Sequence, residues 1–577
     1  MRAAGLLCVL VLAKLCMATG QSVPASAWSP IAYLWQDLLV AVLFAGFDAL
    51  ARRSWAGWTA YGLIVTYAAV NVPVARVLGT PLTAPMLRAT RGTLADSVAY
   101  HATPANVGLL LLVLAGAAAF PLLLRKVRRR HLIWGAVAAA PVILLGPFAT
   151  TRVDTGGLHR NALVAAVSTQ FPHIEAGDAG EPVADDAAPT GPGADPRLAR
   201  LRGAAAGRHV VLVLLESAAA QYLRPYGAAE DPMPNVTALA AHGVLFEHVY
   251  AVYPESIRGL FAVLCSRYPA MDTEPELYER VTTRSLAAVL RGQGYHTALF
   301  HSGRFRYLGM QAVVRGRGFQ VLEDAGQIGG DRASSFGIDE PSAIRRLLQW
   351  IDEVPRGDRF FATYVPIAGH HPYETPEPGP FPERRDIDRY RNALHYADAA
   401  VGQLVQGLRA RGLEQQTVVV LVGDHGQAFG QHAGNFGHTL RIYEENVRVP
   451  LVISSPGGVE GPVRVPGLVS HIDIAPTVLD LLGLAPDAGH QGLSQLRGGR
   501  SKVFFFADAS LGLLGLRDGR WKYIHETDSG RSRLFNLDAD PAELTNLADS
   551  QPDLADRYKR EVVGWGRAQK RLITAGR

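Results

Sequence analysis

The sequence predicts an α/β domain in which a mostly parallel sheet lies between helices, preceded by a transmembrane region of about five helices. Short, continuous runs of β-branched and aliphatic residues alternate with amphipathic helical patterns, which is typical of a parallel sheet covered on both faces. Apolar stretches near the N-terminus approach the roughly 17 to 25 residues needed to cross about 30 Å of hydrocarbon. Both patterns occur in one chain of 577 residues, of which 48% are hydrophobic and 19% are charged.

Five apolar stretches make up the predicted transmembrane region, residues 1–152. They run over about 4–20, 29–50, 56–78, 105–124 and 132–150. The first also has features of a cleaved signal peptide, because Arg2 precedes an apolar run that ends in Ala-Thr-Gly. Lys14 interrupts that run and further spans follow it. The pattern therefore favours an uncleaved first helix, with cleavage as the alternative.

The charge of the chain is divided unevenly between its two parts. Residues 1–152 contain 13 basic and three acidic residues, whereas the rest contains 44 basic and 49 acidic residues. Arg52, Arg53 and the basic run at 125–130 lie in short loops, which marks these loops as cytoplasmic and places everything after the fifth span outside. We predict a multi-pass protein of the cytoplasmic membrane, in contact with lipids. The mildly acidic remainder argues against nucleic acid as a partner.

Three further parts follow the predicted spans. Residues 153–205 are predicted to be an extracytoplasmic linker, because 174–200 is rich in Ala, Gly, Pro and acidic residues and lacks aromatic residues. Residues 206–499 are predicted to form the main α/β domain, and 500–577 a smaller α+β portion. The three cysteines, Cys8, Cys16 and Cys265, cannot provide a disulfide framework or a thiolate metal site.

Two of the predicted strands end in groups that bind metal ions. The run HVVLVLLES (209–217) carries Glu216, and TVVVLVGDHG (417–426) carries Asp424 and His425. Because the carboxyl ends of adjacent parallel strands meet at one edge of a sheet, we expect these three side chains to lie close together. Carboxylates with an imidazole suit a divalent ion, which we expect to be Mn, Mg, Zn or Ca. Taken alone, Asp-His-Gly after a strand could also be a simple turn.

A serine opens the helix predicted in VYPESIRGLFAVLCSRYP (252–269). Ser256 lies where the helix begins, so its hydroxyl could cap the helix. Near a divalent ion the same hydroxyl would act as a nucleophile, because metal and helix dipole both favour the alkoxide and the anionic group that it attacks. Arg258, two residues further on, is a candidate for pairing with substrate oxygens.

The order of the motifs resembles the sulfatases of the alkaline phosphatase superfamily. After the first acidic strand end come a hydroxyl position about 11 residues before RYP, HSG (301–303), GHHPY (369–373), DHGxxxGxH (424–432) and YEExxRVPLVISSPG (443–457). SHIDIAPTVLDLLGL (470–484), GRWKYIH (519–525) and LFNLDADPAELTNLA (534–548) complete the series. The resemblance covers about 209–577 and implies an alkaline-phosphatase-like sandwich with a C-terminal sulfatase subdomain at 500–577. The preceding spans resemble the layout of lipoteichoic acid synthases and related phosphoglycerol transferases.

The resemblance also implies roles for individual residues. They are metal binding by Glu216, Asp424 and His425, catalysis by Ser256, His370 and His438, and substrate binding by His301 and Arg304, besides Arg258. Ser256 falls where sulfatases convert a residue to formylglycine. The next four residues are Ile-Arg-Gly-Leu, without the Pro and Arg that sulfatase maturation requires, so we expect an unmodified serine. The single acid Glu216, in place of paired aspartates, also resembles the transferase branch.

These patterns predict a membrane-anchored, metal-dependent enzyme that cleaves or transfers a phosphate-type ester, such as a phosphoglycerol group, through a serine nucleophile. Its substrate is expected to be an anionic ester linked to lipid or glycan. The alternative is a sulfuric ester hydrolase, which the WKY and DPAEL motifs favour. A third possibility is a non-catalytic relative that binds an anionic polymer.

Overall fold

A computed structural model describes residues 1–20, 26–51, 54–89, 95–126, 129–178, 195–332, 336–455 and 462–576. We call residues 1–178 the N-terminal helical region. Its α-helices are α1 (Arg2–Ala18), α2 (Ser29–Leu50), α3 (Ser54–Leu78), α4 (Ala84–Ala89), α5 (Ala95–His101), α6 (Pro104–Leu123), α7 (Arg129–Arg152) and α8 (Ala162–Ser168). Among the described residues, four helices are long and apolar enough to cross a membrane: Ser29–Leu50, Trp55–Leu78, Pro104–Leu123 and Trp134–Arg152.

The first of the five predicted spans differs from the other four. Helix α1 has 17 residues, which gives a length of about 25 Å, less than the roughly 30 Å of a hydrocarbon core. It packs against α2, α3 and α6, and its Leu6 and Val9 are fully buried. Among the basic residues that predict the topology, Arg52, Arg53 and Arg128 lie outside the described residues.

The predicted linker, 153–205, is packed against the rest of the protein over much of its described length. Asp154 forms an ion pair of 3.0 Å with Arg533, and Arg160 donates a hydrogen bond of 3.0 Å to the carbonyl oxygen of Ser510. Ile174 is buried in a cluster with residues of the C-terminal sheet. The two polar partners named here lie more than 300 residues away in the chain, so local composition could not reveal them.

An eight-stranded sheet forms the centre of the main domain, in the order β10-β2-β9-β6-β1-β5-β3-β4. In chain order, the strands from β1 to β10 are β1 (His209–Leu215), β2 (Val244–Tyr250), β3 (His296–His301), β4 (Val321–Glu323), β5 (Phe360–Val365), β6 (Thr417–Gly423), β7 (Ala428–Phe429), β8 (Phe436–Gly437), β9 (Arg448–Ser454) and β10 (Val463–Ser470). All pairings within the large sheet are parallel except those of β9 with β2 and β6. The predicted α/β class is thus confirmed.

Helices cover both faces of this sheet. They are α9 (Pro196–Ala199), α10 (Pro234–Ala240), α11 (Ser256–Cys265), α12 (Leu286–Gly292), α13 (Gln311–Val314), α14 (Ala325–Ile328), α15 (Glu340–Glu353), α16 (Asp386–Ala410), α17 (Glu444–Val447) and α18 (Ile474–Leu481). Strand β1 shows why both faces need cover. Its residues alternate between two hydrophobic cores, with Val210 and Leu212 in one and Val211 and Val213 in the other.

A smaller antiparallel sheet lies within the predicted C-terminal portion, 500–577. It consists of β11 (Lys502–Ala507), β12 (Leu513–Asp518), β13 (Trp521–Glu526) and β14 (Ser532–Asn536), followed by α19 (Pro552–Thr574). Helix α19 packs on this sheet, and its Trp565 ring stacks on Phe504 with 5.1 Å between ring centroids. Ile174 of the N-terminal helical region lies in the same core.

Candidate active site

The predicted metal-binding residues come together because β1 and β6 are neighbours in the sheet. Their parallel register pairs Leu215 with Gly423, so the next residue of each strand, Glu216 and Asp424, stands at the same edge. The ladder continues one step further, since the amide of Asp424 donates to the carbonyl oxygen of Leu215 at 3.0 Å. At this point the chain is closely packed, and a Cβ added to Gly369 would lie 2.4 Å from the carbonyl oxygen of Glu216.

Glu216, Asp424 and His425, which we call the metal-ligand group, each offer a ligand atom within 4.8 Å of the others. Nε2 of His425 lies 3.7 Å from Oε1 of Glu216 and 3.4 Å from Oδ2 of Asp424. All three residues are buried. The other carboxylate oxygen of Asp424 accepts hydrogen bonds from the backbone amides of Ser217 and His425 at 2.8 and 2.7 Å. Ser217 has φ = 56°, a conformation rare for a non-glycine residue, which turns its amide toward Asp424.

The orientation of the His425 ring suits a ligand. Its Nδ1 lies 2.9 Å from the carbonyl oxygen of Gly426, which can only accept a hydrogen bond. Nδ1 therefore carries the proton, and the lone pair of Nε2 points toward the two carboxylates. Such a hydrogen bond to the second nitrogen is the usual way in which proteins fix a metal-binding imidazole.

The electrostatics of the group also fit a divalent cation. Burial raises the pKa of Glu216 to about 7, and the neighbouring charge of Asp424 adds to this effect. Burial likewise raises the pKa of Asp424 to about 7. Among the described residues, the ion pairs of these two carboxylates are with His425 alone. Two buried carboxylates without a lysine or arginine partner need another positive charge, which a divalent ion would supply.

Ser256 lies beside the metal-ligand group. Its hydroxyl donates a hydrogen bond of 3.0 Å to Oε2 of Glu216 and lies 3.4 Å from Nε2 of His425. Helix α11 begins at Ser256 as predicted, but its cap is Glu255, whose carboxylate accepts hydrogen bonds from the amides of Ile257 and Arg258. The capping role considered for Ser256 is therefore wrong. Because Glu255 caps the helix, the Ser256 hydroxyl is free to face the carboxylates.

Arg258 makes its contacts away from this group. Its guanidinium donates to Asp508 at 2.8 Å and to the carbonyl oxygen of Thr273 at 2.7 Å, and it covers the ring of Tyr253. Two residues along a helix correspond to a rotation of about 200°, so Arg258 and Ser256 lie on nearly opposite faces of α11. The structure thus joins Arg258 to the C-terminal portion and does not bring it together with the metal-ligand group; its role in substrate binding stays a prediction.

His438 and His370 form a row of rings with His425. The rings of His425 and His438 are stacked with centroids 4.0 Å apart, and those of His370 and His438 lie edge to face at 6.2 Å. Nδ1 of His370 donates to the carbonyl oxygen of His371 at 2.8 Å. Burial and the charges of His425 and His370 hold the pKa of His438 well below its ordinary value, so this ring is uncharged at neutral pH.

His438 is fixed by two residues that the sequence did not reveal. Its Nδ1 lies 2.9 Å from Oε1 of Gln427, and Nε2 of Gln427 donates to the hydroxyl of Tyr373 at 2.5 Å. The amide oxygen of Gln427 therefore accepts the proton of Nδ1, which leaves Nε2 of His438 unprotonated. Gln427 stands within the DHGxxxGxH motif, three residues after Asp424, which was the available signal for it.

The two predicted substrate-binding residues at the end of β3 differ in their surroundings. His301 is buried, and its Nδ1 donates to the carbonyl oxygen of Val365 at 2.9 Å. Burial lowers the pKa of His301 to about 4. Arg304 is partly exposed and lies near Gly326. Their predicted contact with substrate stays a prediction.

Glu340 is a further residue that sequence reasoning missed. Its buried carboxylate accepts hydrogen bonds from the hydroxyls of Ser302 and Tyr364 and from the amides of Ile367 and Ala368, at 2.9 and 2.8 Å for the amides. These donors belong to the ends of β3 and β5 and to the segment that leads to His370. Glu340 thereby ties two parts of the site together, through partners that no local pattern indicates.

Comparison with known proteins agrees with this geometry. Residues 208–484 match the sulfatase family model, and residues 432–558 match the model for the C-terminal part of N-sulphoglucosamine sulphohydrolase. Arylsulfatase K of Mus musculus is 30% identical over 257 residues, which cover 39% of this chain and 46% of that protein. Choline-sulfatase of Rhizobium meliloti is 32% identical over 178 residues, covering 29% and 34%. The chain thus spans less than half the length of these relatives.

Solved structures show the same fold. The lipoteichoic acid synthase LtaP from Listeria monocytogenes aligns with a TM-score of 0.53 and 20% identity, over 65% of this chain and 92% of that one. The phosphonate monoester hydrolase of Agrobacterium radiobacter aligns with a TM-score of 0.50 and 20% identity, over 63% and 96%. Residues 208–484 thus resemble sulfatases in sequence, and the chain shares its fold with solved structures of the alkaline phosphatase superfamily.

Proposed function

We propose that this protein is a membrane-anchored, metal-dependent enzyme that cleaves or transfers a phosphate-type ester, such as a phosphoglycerol group, through Ser256. The observation that carries the proposal is the position of the Ser256 hydroxyl, 3.0 Å from Glu216 and 3.4 Å from Nε2 of His425. A divalent ion bound there would stabilise the serine alkoxide and offset the charge of the ester. Mn, Mg, Zn and Ca all accept these ligands.

The reaction requires a proton to move twice. In the first half, Ser256 loses its hydroxyl proton and its oxygen bonds to phosphorus, while the bond from phosphorus to the leaving oxygen breaks and that oxygen takes up a proton. His370 and His438 would exchange these protons through Nε2, because their Nδ1 atoms are engaged by the carbonyl oxygen of His371 and by Gln427. In the second half, water or an alcohol displaces the serine, giving hydrolysis or transfer.

An anionic ester linked to lipid or glycan is the proposed substrate. The helices long and apolar enough to cross a membrane support a lipid-linked group, as does the fold shared with a lipoteichoic acid synthase. Solved relatives of the same fold bind sulfated sugars, among them a D-glucosamine disulfate. We place His301 and Arg304 near the substrate, because His301 ends β3 and Arg304 follows it, at the same edge of the sheet as Glu216.

Sulfuric ester hydrolysis is the second candidate function. It is favoured by the match of residues 432–558 to a sulphohydrolase family and by the sulfatases among the relatives. A serine sulfate, however, has no easy route of release, whereas phosphoserine passes its group to water or alcohol. The sulfatase mechanism would therefore require formylglycine at position 256, where the following residues lack the expected Pro and Arg.

One experiment separates these functions. The full-length protein in detergent should act on aryl phosphate or phosphodiester substrates rather than on aryl sulfate, and the variant Ser256→Ala should lose turnover while it keeps its metal. Intact-protein mass spectrometry should show an unmodified Ser256 and, after a brief reaction, an added phosphoryl-type group. Formylglycine at position 256, or full turnover of Ser256→Ala, would overturn the serine mechanism. A protein without stoichiometric metal and without turnover would instead be a non-catalytic relative.

We also propose that the sulfatase domain lies on the outer side of the cytoplasmic membrane. Arg52, Arg53 and the basic run at 125–130 support this orientation. Protease added to intact spheroplasts should release the domain. Digestion only after lysis would reverse the orientation.

A further inference from the structure

Helix α5 belongs to the N-terminal helical region but contacts the segment that carries His370. The ring of His101 lies flat on the ring of His371, with centroids 4.9 Å apart and an angle of 7° between the ring planes. Tyr100 meets the same ring edge to face at 4.9 Å. Two consecutive side chains of α5 thus enclose His371, the residue that follows a candidate catalytic histidine.

Helix α5 is itself anchored to the main domain. The hydroxyl of Tyr100 donates to Oδ1 of Asp386 at 2.5 Å, and Arg389 both donates to that hydroxyl and covers the Tyr100 ring. Asp386 and Arg389 belong to the first turn of α16. Contacts with α16 of the main domain therefore fix α5 on His371, in addition to the connection of α5 to α6.

The segment that His101 covers controls the orientation of both candidate catalytic histidines. The carbonyl oxygen of His371 accepts the Nδ1 proton of His370 at 2.8 Å, so a shift of residue 371 turns the His370 ring. Tyr373, whose ring contacts His371, accepts the hydrogen bond from Gln427, which in turn holds Nδ1 of His438. The stacked ring of His101 therefore supports two series of hydrogen bonds, one that ends at His370 and one that ends at His438.

A second contact supports the same conclusion independently. Gly79, at the end of α3, has φ = 68°, and a Cβ added there would lie 2.7 Å from the carbonyl oxygen of Gly434. Gly434 belongs to the loop between Gln427 and His438. The N-terminal helical region thus contacts the loop that leads to His438 as well as the segment that carries His370. The close contact at Gly79 leaves no room for a side chain.

We propose that His101 is a positioning residue of the active site, which acts by stacking on His371 to fix the segment that orients His370 and His438. The N-terminal helical region would then be part of the catalytic scaffold and not only an anchor. This inference rests on the proposed function, because its catalytic consequence requires that His370 and His438 exchange protons with the substrate.

The test compares His101→Ala with His101→Phe in the full-length protein in detergent. We expect His101→Ala to lower kcat by about 10- to 100-fold, the range for a small misplacement of catalytic groups, with KM within about twofold and metal content unchanged. His101→Phe keeps a flat ring without the nitrogens and should recover most of kcat. His209→Ala is the matched control, because it removes another stacked histidine, on Phe360, at the opposite end of β1 about 20 Å from the site.

A second measurement does not depend on turnover. Hydrogen–deuterium exchange should rise in peptides that cover 369–374 and 427–438 of His101→Ala, and not in His101→Phe or His209→Ala. Unchanged exchange in His101→Ala would overturn the inference whether or not the protein has esterase activity. Increased exchange with an unchanged kcat would show a structural contact without a catalytic role and would also overturn it. Absence of turnover in the wild type, with the expected exchange pattern, would contradict the proposed function and leave the positioning contact established.

Discussion

Two buried pairs of carboxylates in this protein are neutralised in different ways. The first pair is Glu216 and Asp424 of the metal-ligand group, whose ion pairs among the described residues are with His425 alone. The second pair is Glu444 and Glu543, which share the ammonium group of Lys522 at 3.0 Å each; we call these three the lysine group. Lys522 is fully buried. The lysine group therefore contains its own cation, and the metal-ligand group does not.

The difference appears in the ionisation of Glu444, whereas burial raises the pKa of its neighbour Glu543 to about 7, as in the metal-ligand group. Burial opposes ionisation of Glu444, but Lys522 and Arg517 outweigh it and hold its pKa well below the ordinary value. In the metal-ligand group burial dominates and raises the pKa of both Glu216 and Asp424 to about 7. In the lysine group a buried ammonium compensates the two carboxylates. A pair left without one, beside an imidazole lone pair and a serine hydroxyl, has the features of a site for a metal ion.

The largest expected effect comes from the variant Asp424→Ala. Removal of this ligand should abolish metal binding and lower turnover by about a thousandfold or more, because a metal supplies several kcal/mol of stabilisation to the transition state. Metal content of the purified protein and initial rates measure both effects. Glu444→Gln is the matched control, since it removes a carboxylate of the lysine group and should leave the metal bound. Full metal occupancy in Asp424→Ala would remove Asp424 from the site.

A smaller effect, on stability, is expected from Lys522→Met. This change leaves Glu543 without its cation and Glu444 with Arg517 alone, at 3.5 Å, and should lower the free energy of unfolding by about 3 to 5 kcal/mol, while metal stoichiometry stays the same. Denaturant unfolding in detergent gives the free energy. Lys502→Met serves as the control, because Lys502 is partly exposed in its ion pair with Glu561 and should contribute about 0 to 1 kcal/mol. Equal effects of the two substitutions would contradict the contrast between buried and exposed pairs.

The smallest effect concerns a third carboxylate, Asp272, which shares a hydrogen bond of 2.6 Å with His173. Burial acts against the charged imidazole, but Asp272 outweighs it and raises the pKa of His173 above its ordinary value. The pair should therefore stabilise the fold fully below about pH 6.5, the unfolded pKa of histidine, and lose this contribution as pH rises through the higher folded pKa. On the acid side the contribution is lost only as Asp272 becomes protonated. His173 and Lys570 outweigh burial and bring the pKa of Asp272 to about 2.

The comparison of His173→Gln with the wild type tests this pair. The difference in free energy of unfolding should be about 1 kcal/mol between pH 4.5 and 6 and should shrink as pH rises above 6.5. Lys570→Met removes the other cation of Asp272, at 3.0 Å, and leaves the imidazole in place, so its effect should stay constant over that range. A difference for His173→Gln that grows with pH would reverse the assignment.

Much of the site could be predicted because its key residues directly follow strands. Apolar runs at 209–215 and 417–423 form β1 and β6, and the polar residues at their ends, Glu216 and Asp424, meet as expected. Helix α11 begins at Ser256, as its sequence pattern predicts. Such elements follow from local periodicity and from the rule that parallel strands share one edge.

The contacts that no local pattern indicates depend on partners distant in the chain. Arg258 is predicted to bind substrate, and its partner Asp508 lies 250 residues further on. Residues 153–205 are predicted to be a linker, and Asp154 of this segment pairs with Arg533, 379 residues away. The first predicted span is a 17-residue helix packed among the others, which its hydropathy alone does not distinguish from a full span.

By itself, the sequence determined the strands that carry Glu216 and Asp424, the four apolar helices long enough to cross a membrane, and the side chains that stand at these strand ends. Only the tertiary structure decided that Glu255 caps the helix of Ser256, that Glu340 and Gln427 hold the site together, and that His101 reaches His371. The physical reason is the separation along the chain of the residues that interact. Periodicity and turn chemistry act over a few residues and are written locally, whereas these contacts depend on the order of strands and on the docking of two regions, which no local pattern encodes.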